Sequence, residues 1–232
     1  MKFKKETYPG RVVHGKWYDD ACGAAFAMEL VGERWTLLVI RELMLGGRRF
    51  SDIRASLPAL SAKTLTERLE TLRELGIVER THLPPPASAQ VYQLTEWGRA
   101  LEPVLQELGR WAVRSPLHDP ALPLTPVALM LSLRTMLDPG RIGDLELWVA
   151  FDVGGDRFAG RLRGEELSIH PAGEAEMSPD LRFSALSASD FLPVFYGKQK
   201  PEEAGNRLAI AGDPALAQRF IDLFAMPPKC GS

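Results

Sequence analysis

The sequence predicts two domains of different class: a mostly helical N-terminal domain carrying a β-hairpin, then an α+β domain with an antiparallel sheet of about five strands covered by helices. Three observations point there. Apolar residues recur mainly at helical spacing up to Arg114, whereas several segments after Gly140 alternate with period two. Between them, SPLHDPALPLTP places prolines at 116, 120, 123 and 126, which favour extended backbone and cannot continue a helix. The charge divides too: residues 1–114 hold 17 Lys+Arg against 14 Asp+Glu, net +3, and residues 115–232 hold 11 against 16, net −5. The expected organisation is a domain over 1–114, a linker over 115–126 and a domain over 127–232.

The chain of 232 residues, 45% hydrophobic and 25% charged, has the composition of a folded globular protein. No apolar run approaches the length of a membrane span, and the start MKFKKETYPGRVVHG lacks the apolar segment of a secretory signal, so a cytoplasmic location without membrane insertion is expected. Cys22 and Cys230 show no metal-ligand spacing and imply no disulfide scaffold.

In the first domain, Asp19 or Asp20 can cap a helix over Ala21–Val31. GERWTLLVIREL (32–43) follows with Trp35, Leu38, Val39 and Leu43 on one stripe, and Gly46-Gly47 ends it. RRFSDIRASLP (48–58) spaces Phe50, Ile53 and Leu57 as a short buried helix. Ser61 can cap AKTLTERLETLREL, with Leu65, Leu69 and Leu72 inward and Lys63, Thr66, Glu67 and Glu70 outward, and Gly76 stops it. IVERTH (77–82) and QVYQL (90–94), joined by LPPPASA, read as a hairpin with a stiffened tip. Helices followed by this hairpin make the winged form of the helix-turn-helix, whose second helix enters the DNA major groove.

The segments GERWTLLVIREL, RFSDI (49–53), LSAKTLTERLETLRELGIVER (60–80) and YQLTEWGRAL (92–101) together resemble the HxlR family of bacterial winged-helix regulators over roughly residues 20–113. The resemblance implies a homodimeric transcription factor whose first and last helices pack across a two-fold axis. Independently, a helix over Thr95–Arg114, bent at Pro103, places Trp97, Leu101, Leu105, Leu108 and Trp111 on one stripe. That stripe serves either a dimer interface or the domain's own core.

The expected partner of this domain is double-stranded DNA, contacted by Ser61, Lys63, Thr66 and Arg68 on the recognition helix, Arg48 and Arg49 before the preceding helix, and Arg80 on the wing. Solvated or ion-paired roles are the alternative for Lys63, Arg68 and Arg80. Glu67, Glu70 and Glu74 repel phosphate, which confines contact to the first turns of that helix. Cys22 stands in the first turn of its helix, where backbone N–H groups favour thiolate. The family resemblance implies a sensor of oxidants or electrophiles at this place; the alternative is a small packing residue.

In the second domain, Thr125-Pro126 opens a helix with Leu129, Met130, Leu133, Met136 and Leu137 on one face, closed by Asp138-Pro139-Gly140. Leu145, Leu147, Val149 and Phe151 alternate along a strand, Gly154-Gly155 turns the chain into DRFAGRLR, and further strands carry Leu167 and Ile169, Leu181 and Phe183, and Leu208 and Ile210. Helical pieces at 187–197 and 213–224 can cover one face. The succession WVAF, DRFAGRLRGEELSI, PDLRFSA, DFLPVFYG and RLAIAGDPALAQRFIDLF resembles the type-2 sterol carrier protein fold over roughly residues 125–226. That resemblance implies an apolar tunnel, for which Trp148, Phe158, Phe183, Phe191, Phe195 and Tyr196 are candidates, with ordinary core as the alternative.

No enzyme chemistry is expected: the histidines at 14, 82, 118 and 170 lie apart from any Cys or carboxylate at ligand spacing, and no phosphate-binding loop or nucleophile elbow occurs. No metal or cofactor is expected either, since Asp152 and Asp156 are too few for a calcium site. The reading is a dimeric DNA-binding regulator, a repressor, whose second domain binds a lipid or other apolar effector or serves as a scaffold. The rivals are a lipid or acyl carrier whose winged domain serves dimerisation only, and an enzyme built on the carrier-like domain, against which the lack of a catalytic constellation argues.

Overall fold

The computed structural model describes residues 18, 20–82, 89–173 and 178–231. Asp19 and residues 83–88 of the hairpin tip expected over 83–89 lie outside them. The chain divides into two compact units, one holding the described residues up to Leu43 with Gly47–Arg99, the other Met44–Gly46 with Ala100 onward.

In the first unit, α1 (Gly23–Val31) precedes α2 (Thr36–Leu43), α3 (Phe50–Ser56) and α4 (Ala62–Glu74), and β1 (Val78–His82) pairs antiparallel with β2 (Gln90–Leu94) before the short α5 (Glu96–Arg99). The helix expected from Ala21 starts two residues later, because Cys22 keeps an extended backbone and its N–H bonds the Asp20 carboxylate at 2.9 Å. Trp35 is not on the α2 stripe. It occupies the left-handed region (φ 78°) in the turn before the helix, and Leu38 is exposed, so the buried stripe is Thr36, Val39, Ile40 and Leu43. Against it pack Ile53 from α3, Leu65, Leu69 and Leu72 from α4, and the hairpin's Val91 and Leu94, all essentially without solvent contact. Burying such side chains contributes roughly 1.5–3 kcal/mol each.

The second unit begins with α6 (Glu102–Ala112). The single bent helix expected over Thr95–Arg114 is two helices: α5 ends at Arg99 and Pro103 stands in the first turn of α6, where its missing N–H costs nothing. α7 (Pro126–Met136) follows, capped by the Thr125 hydroxyl accepting from Ala128 N–H at 3.1 Å. Then come β3 (Leu147–Val153), β4 (Asp156–Arg163), β5 (Glu166–Pro171), β6 (Leu181–Ala185), α8 (Leu192–Phe195), β7 (Ala209–Gly212) and α9 (Pro214–Ile221).

The sheet has five strands in the order β5-β4-β3-β6-β7, and it is mixed rather than antiparallel. β3, β4 and β5 form a meander whose tight turn uses Gly154 and Gly155, both at positive φ, as a two-residue hairpin requires. The β4–β5 excursion then supplies the long crossover that parallel neighbours need, so β6 runs alongside β3 in the same direction. Register places Phe151 beside Phe158 and Phe183 on one face. There the rings of Phe151, Phe183, Phe191, Phe195, Phe220 and Phe224 form a continuous cluster with centroid separations of 5.1–6.4 Å.

Candidate nucleic-acid interface

The second helix of the helix-turn-helix is bounded at both ends by its own sequence. Ser61 is the N-cap of α4: its Oγ accepts the Thr64 N–H at 3.1 Å and lies 2.9 Å from the Thr64 hydroxyl. At the other end Gly76 takes φ 71°, with Gly76 N–H bonding Arg73 C=O and Ile77 N–H bonding Leu72 C=O at 2.9 Å. This is a Schellman stop, open to glycine because a Cβ disfavours that backbone. Leu65, Leu69 and Leu72 hold the inner face, leaving Lys63, with 89% of its side chain exposed, beside exposed Thr66 and Glu67. The Lys63 ammonium reaches Glu67 only at 4.0 Å, a weak surface pair, and the Thr66 hydroxyl donates to Ala62 C=O at 3.0 Å.

The arginines expected beside this helix fall into two groups. Arg49 is exposed at the N-cap position of α3, and Arg80 is exposed on β1. Arg80 is also held in place: its guanidinium donates to the Tyr92 hydroxyl at 2.6 Å and lies 5.1 Å from the Tyr92 ring centroid, directly across the hairpin. The other two turn inward. Arg48, 17% exposed, donates to the fully buried Glu42 carboxylate at 2.8 Å, which Arg41 also meets at 2.8 Å. Its backbone exchanges two hydrogen bonds with Tyr92, at 2.8 and 2.9 Å, tying the segment before α3 to the hairpin. Arg68, 18% exposed, pairs with Glu33 in the α1–α2 turn. Arg54 on α3 is exposed as well and is not singled out by the sequence: four residues after Phe50 and three before Leu57, it falls by helical spacing at the edge of the buried stripe, so periodicity does not mark it as outward.

A helix-turn-helix with one capped, open-faced helix and a cationic rim has counterparts among known proteins. A sequence model described as HxlR-like helix-turn-helix matches residues 30–118. The regulator YvaP of Bacillus subtilis, itself uncharacterised, is 41% identical over 86 residues, which are 37% of this chain and 80% of YvaP. The chain belongs to the HxlR family. The HTH-type transcriptional regulator YodB of the same bacterium is 45% identical over 86 residues, 37% of this chain and 77% of YodB. The solved reduced form of YodB is 41% identical, with 42% of this chain and 98% of that chain aligned at a TM-score of 0.38. Each of these relatives matches less than half of this chain.

Cys22, just ahead of the HxlR region, is exposed and free. Cys22 makes no capping hydrogen bond, but the nearby backbone N–H groups of Ala25 and Ala24 hold the thiol below its ordinary value, outweighing a slight effect of burial. Cys230 is likewise free and exposed.

The six tunnel candidates of the second unit do not share one surrounding. Phe183, Phe191 and Phe195 are fully buried within the phenylalanine cluster, and Phe158 is buried on the same sheet face. Trp148 is on the opposite face, because strand alternation sends it away from Val149 and Phe151; its ring stacks with the Arg161 guanidinium at 4.9 Å. Tyr196 bonds the Ser132 hydroxyl at 2.7 Å, and burial of its phenol raises its pKa against the smaller opposing effect of that bond. Among the described residues no group of three or more His, Cys, Asp or Glu could hold a metal ion, and no helix is long and apolar enough to cross a membrane.

Proposed function

We propose that the protein is a cytoplasmic, homodimeric repressor that reads duplex DNA with the first turns of α4 in the major groove. The observation that carries this reading is the open face of α4: a helix fixed by Ser61 and Gly76, with Lys63 and Thr66 directed to solvent. Lys63, Arg49 and Arg80 meet phosphates or base edges, and Ser61 and Thr66 offer short hydroxyls at the same end. Arg48 and Arg68, matched by Glu42 and Glu33, serve the domain by holding its elements together. Two apolar surfaces support self-association: α1, of which only Val31 is buried, and α6, which buries no residue and leaves Trp111 71% exposed. The second unit is the sterol-carrier-like domain, and its contiguous phenylalanine cluster supports the scaffold role over the tunnel. The reading assigns the chain no enzymatic activity.

The experiment is selection of binding sites from random duplexes, then fluorescence anisotropy against salt. With about six phosphates neutralised per dimer, the log–log slope is expected near −5. The Lys63→Ala/Arg80→Ala protein is expected to lose affinity while remaining folded, its melting temperature lowered by no more than the loss of the Arg80–Tyr92 contact costs. A slope near zero, or unchanged binding by that variant, would overturn the assigned contacts.

A further inference from the structure

We infer that the second unit is the mount of α6: three polar clasps hold this helix so that its outward apolar residues are presented for self-association, and Arg134 and Lys229 are positioning residues for the dimer. The inference rests on the dimer reading above and adds what sets its strength. An 11-residue helix with no buried residue does not persist in water by itself, since helices of this length are marginal without tertiary support. α6 nevertheless exposes Val104, Leu108 and Trp111 together. Its inner side, with Leu105, Gln106 and Gly109, is only half-buried, so polar contacts must share in fixing it.

The clasps act at the start, the middle and the end of the helix. At the start, the Arg134 guanidinium of α7 meets the Glu102 carboxylate at 2.8 Å, both side chains about four-fifths buried. In the middle, Arg110 donates to the Thr135 carbonyl at 2.5 Å. That carbonyl lies in the last turn of α7, where the helix has no N–H to offer it. At the end, the Lys229 ammonium donates to the carbonyls of Val113 and Ser115, each at 3.0 Å. Cys230 N–H bonds Arg114 C=O at 2.7 Å, and Arg114 Nε bonds Pro228 C=O at 3.3 Å. A cation placed on the orphan carbonyls of a helix C-terminus is favoured by the dipole as well as by the bonds. The segment 228–230 thus closes α6 as a cap supplied from more than a hundred residues away.

The consequence is that dimer strength is a property of α7 and of the 228–230 segment, not of the α6 surface alone. Sedimentation equilibrium of full-length wild type, Arg134→Ala, Lys229→Ala, Lys229→Arg and the exchange pair Glu102→Arg/Arg134→Glu tests it. Arg134→Ala and Lys229→Ala are expected to raise the dimer dissociation constant about fivefold to tenfold, as loss of a charge-assisted bond does. Lys229→Arg and the exchange pair are expected to recover most of it. Amide exchange on the same proteins separates loss of the mount from loss of the fold: residues 104–112 are expected to exchange faster in the alanine variants while β3 and β4 stay protected. Unchanged dissociation constants in a dimeric wild type would overturn this inference and leave the dimer reading standing. A wild type that is monomeric throughout would overturn both.

Discussion

Glu42 shows how much of the first unit depends on a single buried carboxyl group. Fully buried between Arg41 and Arg48, it keeps Arg48 in the position from which the backbone pairs with Tyr92, and Tyr92 in turn holds Arg80. Removing the carboxylate takes a charge-assisted partner from both arginines at once and empties a fully buried position, at a cost of about 3 kcal/mol. Glu42→Ala is therefore expected to lower the unfolding free energy by that amount in urea denaturation, and a loss below 1 kcal/mol would show that solvent already satisfies Arg48. At Cys22 the chemistry is that of a thiol facing helix N–H groups. Because the folded form favours thiolate, alkylation by iodoacetamide is expected to reach half its plateau rate below the pH at which an ordinary cysteine does. DNA affinity of wild type, but not of Cys22→Ser, is expected to fall after treatment with a quinone or peroxide. Equal responses of the two proteins would leave Cys22 a packing residue.

Among the elements, α4 combines a structural and a recognition demand at one residue, and the two can be pulled apart. Ser61→Ala removes the cap and is expected to cost about 1 kcal/mol in thermal or urea unfolding. Ser61→Asp keeps a capping oxygen, so stability is expected to stay within a few tenths of a kcal/mol, while the added charge facing phosphate weakens DNA binding. If Ser61→Asp bound DNA as wild type does, the N-terminal turn of α4 would not lie against the backbone. This helix was fully legible beforehand, since cap, stripe and glycine stop all act within a stretch of consecutive residues. Arg68 was not: whether its guanidinium reaches DNA or Glu33 depends on where the α1–α2 turn lies in space, some 35 positions earlier in the chain. The same holds for Arg48, whose partner is set by the approach of α2 to the hairpin.

At the scale of the molecule, the second unit packs its phenylalanines against each other across β3, β6, α8 and α9. A ligand that bound the folded state alone would raise stability, by about 2.7 kcal/mol at a hundredfold excess over its dissociation constant. With the rings already in mutual contact, titration with a panel of acyl chains is expected to give neither binding heat nor a higher melting temperature. A melting temperature that climbs with chain concentration would restore the tunnel reading and make residues 127–232 a ligand sensor.

What the sequence determined by itself is whatever depends on near neighbours along the chain. The capped recognition helix, the hairpin pairing of Val78–His82 with Gln90–Leu94, the Gly154-Gly155 turn and the alternation of β3 are of this kind. They follow from periodicity and from the backbone freedom of particular residues, which act over a few positions. The tertiary structure decided the partners of long, charged side chains, the parallel β3–β6 pairing, the face on which Trp148 lies, and the attachment of α6 to the second unit. Each of these is a meeting of groups distant in sequence, and local pattern does not choose between geometries that satisfy the same hydrogen bonds and bury the same surface.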